Sequence, residues 1–106
     1  MNMNLATLRE IEETSLAESH RYSDAISVLG NLACNQAITW EEVERMEEAI
    51  KPFKDHADSI HKAASHAIAY RAYEASMKLP FGPGVAPLTA EEEALLEKAW
   101  NDYFNI

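Results

Sequence analysis

The sequence predicts an all-α fold: a compact bundle of three to four helices in one domain, residues 1–106, with a long central helix and a Pro/Gly loop before the last helix. Three observations carry this. Apolar residues recur at three- and four-residue steps over most of the chain, the period of one helix face. Two helix starts are written as capping boxes. The chain has only 3 Gly and 4 Pro, and two of the Gly and three of the Pro fall between Pro80 and Pro87.

The first helix is expected to begin after Asn4. Leu5, Leu8, Ile11, Ser15, Ser19, Tyr22, Ile26, Leu29 and Ala33 form its seam. Ser15 and Ser19 make the middle of that seam small and polar, so a bend is expected near His20. Gly30, Asn31 and Asn35 supply the breaker chemistry that ends the run. The second helix opens at Thr39-Trp40-Glu41-Glu42, in which the Thr39 hydroxyl caps an amide and Glu42 reaches back. Val43, Met46 and Ile50 share one face, and Glu41, Glu44 and Glu48 point the other way.

Pro52 removes a helix hydrogen bond and crowds the preceding turn, so a kink or short break is expected near Lys51. The rhythm then resumes at Phe53, Ala57, Ile60, Ala64, Ala67, Ile68, Ala75 and Leu79. Alanines on this face admit a close neighbour. Lys54–Asp58, Asp58–Lys62 and Glu74–Lys78 stand four apart, the spacing of helical ion pairs. Phe81 and Val85 are expected to anchor the loop. A second capping box, Thr89 with Glu92, starts the last helix, with Leu88 as its hydrophobic staple. Leu95, Leu96, Ala99, Trp100, Tyr103 and Phe104 give that helix a wide apolar arc, suited to a deep position or to contact with another chain.

Composition narrows the function classes. The 106 residues hold 18 acids and 9 bases, a net charge of −9. Phosphate neutralisation drives nucleic-acid affinity, so direct binding to nucleic acid or to an anionic membrane is disfavoured. Cys34 stands alone, which excludes a disulfide within the chain and fits a reducing, cytoplasmic setting. No apolar run approaches a bilayer span, and Met1–Arg9 lacks the basic start and apolar core of a signal peptide.

Catalytic and cofactor motifs are missing. There is no GxSxG elbow and no phosphate-binding glycine loop. His56, His61 and His66 step by five residues, about 140° each, so they cannot converge on one ion from one helix. The acidic pairs Glu44-x-x-Glu47 and Asp55-x-x-Asp58 resemble the carboxylate pairs of the all-helical nucleotide pyrophosphohydrolases of the MazG type. That resemblance implies a magnesium-dependent hydrolase with the ion held between helices, which is the alternative reading. Against it, Lys51 and Lys62 stand four residues beyond Glu47 and Asp58 and suit ion pairs with them.

The surface is more informative. Residues 51–79 carry five bases and three acids, so the rest of the chain holds the excess of acid. Glu41, Glu44 and Glu48 span about 10 Å of helix, a spacing that can imitate a run of phosphates. His66, Tyr70, Tyr73 and Met77 form a second stripe of interface-type residues. The leading expectation is therefore a non-catalytic module that binds a basic protein surface, such as the groove of a nucleic-acid-binding complex, and needs no metal or cofactor. In size and charge the chain is similar to phage-encoded inhibitors of host defence, anti-CRISPR proteins among them. A structural subunit or homodimer built on Trp100 and Phe104 or on the tyrosine stripe is the further rival.

Overall fold

The computed structural model describes residues 3–75 and 85–104, the last of these by its backbone alone. The described residues form three helices and no strand: α1 (Leu5–Cys34), α2 (Trp40–Ala75) and α3 (Ala90–Phe104). Of the expected Pro80–Pro87 loop, residues 80–84, Phe81 among them, lie outside the described residues, as do Met77 and Leu79, and residues 85–87 lead into α3 without regular secondary structure.

Each helix start follows from local chemistry. Asn4 is the N-cap of α1, its side-chain oxygen accepting from the Thr7 amide at 2.8 Å. Thr39 and Glu42 satisfy each other's free amides at 3.1 and 3.2 Å, and Thr89 and Glu92 do so at 3.1 Å. Three of the four orphan donors at a helix start otherwise face water, so these boxes place the starts of α2 and α3. Between α1 and α2 the chain turns through Asn35 and Gln36. Gln36 has φ 62°, the left-handed conformation that reverses the chain after a helix.

α1 continues as one helix through His20, and the Ser15 hydroxyl donates back to the Ile11 carbonyl at 2.7 Å within it. The break expected at Pro52 is corrected: α2 runs through the proline without interruption. Packing against α1 on both sides of the proline holds the segment in one helix despite the lost hydrogen bond.

α1 and α2 form a long antiparallel hairpin. Partner numbers fall on α2 as they rise on α1: the Ser65 hydroxyl donates to Glu12, Ser19 to Asp58, and Tyr22 stacks on Phe53 at 6.1 Å between centroids. Ser15, Ser19, Ala57, Ala63, Ala64 and Ala67 are all buried, and these small side chains let the two backbones approach closely. α3 covers only one end of the hairpin. Leu96 and Ala99 pack with Met3, Leu8, Ile11, Ile60, Ala63, Ala64 and Ala67, and Leu88 and Leu95 close the margin. Leu88, expected as the staple of α3, packs against this cluster.

The dimensions follow from this arrangement. The fold extends 61 × 35 × 21 Å with a radius of gyration of 18.0 Å, against about 13 Å for a compact domain of this length. The expectation of compactness is thus corrected to an elongated hairpin capped at one end. A 15-residue third helix cannot cover helices of 30 and 36 residues.

Candidate functional site

The start of α2 sets the acidic face. With Thr39 fixed as the cap, Glu41, Glu44 and Glu48 fall off the buried Val43 face of α2, and all three are exposed. Glu41 accepts from Arg45 at 2.9 Å, an exposed pair one turn apart. Trp40, at the first position of the helix, is 58% exposed beside them. Glu44, Glu47 and Glu48 also rim a shallow cleft of about 240 Å³, shared with Ile26 of α1 and with Lys51. The acids therefore do not stand alone: an aromatic side chain and an apolar floor lie within the same surface.

The second stripe is arranged differently. His66 is held between two acceptors, the Glu92 carboxylate at 2.6 Å from Nδ1 and the Ala86 carbonyl at 2.8 Å from Nε2. A neutral imidazole carries one N–H and can satisfy only one acceptor, so this geometry calls for imidazolium. The hydrogen bond to Glu92 and the bond to the Ala86 carbonyl raise the His66 pKa against the effect of burial. Burial pushes Glu92 up, but the bonds from His66 and the Thr89 amide outweigh it and leave the carboxyl below its ordinary value. Tyr70 and Tyr73 are half-buried with ring centroids 6.3 Å apart. Tyr70 lines a cleft of about 570 Å³ with Arg71, Pro87 and Leu88. So the entry segment of α3 lies along this stripe, at His66 and Tyr70. Met77 lies outside the described residues.

The remaining candidates separate in space. His56 is exposed, and the His61 Nδ1 lies 3.1 Å from the Glu12 carbonyl. Glu44 and Asp55 stand eleven residues apart on one continuous helix, about 16 Å along its axis. Asp58 is occupied by Ser19 and by Lys54 at 3.0 Å, and these bonds, that from Ser19 first, hold its carboxyl below the ordinary range. Among the described residues, no three His, Cys, Asp or Glu side chains come close enough together to hold a metal ion. No described helix is long and apolar enough to cross a membrane.

Sequence reasoning missed the polar links that tie the helices together. The Tyr103 hydroxyl donates to Glu18 at 2.8 Å, and burial followed by that carboxylate pushes the phenol pKa well up. Glu12 accepts from Ser65 at 2.6 Å. These pairs lie 85 and 53 residues apart in sequence, and no local spacing signals them. The Arg45–Glu41 pair was legible as a four-residue step.

No protein-family model matches the chain, and no curated protein or solved structure does either.

Proposed function

We propose that this chain is a non-catalytic protein-binding module that presents the Glu41, Glu44 and Glu48 face to a basic surface on a partner, of the kind that otherwise grips nucleic acid. By occupying that surface it acts as an inhibitor of the phage-encoded, anti-CRISPR-like type. The observation that carries this reading is the exposure of all three glutamates along the first turns of α2, beside Trp40 at 58% exposure. The charges supply fast encounter and the aromatic supplies contact area. A chain of net charge −9 suits such a partner and repels nucleic acid itself.

The test is capture of partners from lysate at low and high salt, with DNA added as competitor in one arm. The module retains nucleic-acid-binding proteins at low salt, and both DNA and salt release them. The combined change Glu41→Lys, Glu44→Lys and Glu48→Lys weakens capture by at least about tenfold. Retention unchanged by that triple reversal overturns the phosphate-mimic reading.

A further inference from the structure

α3 fills only half of the groove it occupies. On α2, Ala67 and Ile60 are buried in the cluster with Leu96 and Ala99. Continuing backwards in steps of seven residues leads to Phe53 and then Met46. Each seven-residue step drifts only about 20° round a helix, so these four residues form a single, slowly slanting stripe. It is buried where α3 covers it and open beyond: Phe53 is 61% exposed and Met46 42%. The same holds on α1. Tyr103 near the end of α3 bonds to Glu18, and seven-residue steps from Glu18 reach Ala25 and Leu32. Leu32 is 38% exposed, and Val28, one turn before it, 53%.

We propose that this uncovered half of the groove receives a second copy of the chain, stacked antiparallel about a two-fold axis. The distal halves of the two hairpins then form a short four-helix segment, with the two α3 helices flanking it at opposite ends. Two-fold stacking with the tips at the same end would bring the α3 helices of the two copies into collision, since α3 lies on the interface side. The inference goes beyond the acidic-face reading and stands independently of it.

Area and charge both favour a second copy. Val28, Leu32, Met46 and Phe53 together expose on the order of 400 Å² of apolar surface, the size of the largest patch on a typical protein, which is often functional. The distal parts of α1 and α2, from Tyr22 and Phe53 to the turn, run about 20 Å, and two helices side by side are about 20 Å wide. As interdigitated accessible surface, two such faces reach the low end of a standard interface, about 1,200 Å² in total. The flanking charges are mixed: Arg21 and Asp24 on α1, and Glu42 with Arg45 on α2, the last already paired to Glu41. The acid excess is thus not concentrated on this side, and two copies meet without like-charge blocks.

Two measurements test the proposal on the full chain. Sedimentation equilibrium across the micromolar range gives a species of twice 11.9 kDa. The pair Val28→Glu and Phe53→Glu weakens the dimer at least about tenfold, with the helical circular dichroism retained because both positions are already solvent-exposed. Leu16→Glu, a change at an exposed position outside the stripe, leaves the dimer intact. Cys34 is exposed near the hairpin turn and is the only cysteine, so one spin label per chain reports the arrangement. Antiparallel stacking separates the two labels by roughly 20–30 Å, given about 1.5 Å per residue. A monomer throughout the concentration range, a dimer indifferent to the double change, or labels in contact overturns the proposal.

Discussion

At the scale of single residues, His66 is the most informative side chain. It joins α2 to the start of α3 through two acceptors, and the cleft around it also holds Lys62, Glu91, Ser59 and Thr89. Its raised pKa means that the stabilisation is fully present below the ordinary histidine value, about 6.5, and is lost as pH rises through the raised value. The lowered pKa of Glu92 means its share is present above the ordinary carboxylate range and lost as pH falls through the depressed value. The docking of α3 is therefore strongest between those two limits. Raising the pH from mildly acidic to alkaline costs about 1 kcal/mol for such a partly buried pair, a drop of roughly 4–8 °C in melting temperature. Thermal melts of the protein and of His66→Gln check this: the variant shows a smaller pH response. Leu96 is the second residue to test. It is fully buried in the cluster that holds α3 on the hairpin. Leu96→Ala costs about 2–5 kcal/mol, read by urea titration.

At the scale of elements, Pro52 stands out because α2 contains it without a break. A proline in a helix interior forfeits one backbone hydrogen bond and crowds the previous turn. Pro52 is exposed, so no packing is lost on replacing it. Pro52→Ala is expected to stabilise the protein by about 1–3 kcal/mol, seen as a higher melting temperature. An unchanged or lower value would show that the proline fits a kink that the packing of α1 against α2 requires. The caps behave in the opposite sense. Thr89→Ala removes the acceptor for the Glu92 amide but leaves the Glu92 carboxylate bonded to the backbone amide of residue 89 and to His66. It costs about 1 kcal/mol, read by thermal melts, and leaves the pH response of the melt in place.

At the scale of the whole molecule, stability is unevenly distributed. The buried cluster joins three helices at one end, and the other end is a bare two-helix hairpin. Amide exchange is therefore slowest around Leu8–Ser15, Ile60–Ala67 and Leu96–Ala99, and faster near the turn. Stacking of two copies makes the exchange of the Tyr22–Cys34 and Trp40–Phe53 segments depend on concentration, whereas that of the three-helix end does not. The acidic face and the uncovered apolar stripe lie on different sides of α2, so one molecule can use both at once.

The sequence by itself determined the helices and their edges. Asn4, Thr39 and Thr89 announce the three starts, and the seam from Leu8 through Ser15 and Ser19 to Ala33 is the buried face of α1. These features are local, set by caps and by a 3.6-residue period, and local features can be read from spacing. The exposure of Glu41, Glu44 and Glu48 was legible for the same reason. Only the tertiary structure decided that α2 runs through Pro52 and that the fold is elongated. It also decided where the third helix stops, and so which part of one continuous apolar stripe is core and which part is surface. Phe53 and Ile60 carry the same signal in sequence. Their fates differ because α3 reaches one and not the other, and the reach of a helix depends on its length and docking point, not on the pattern beneath it.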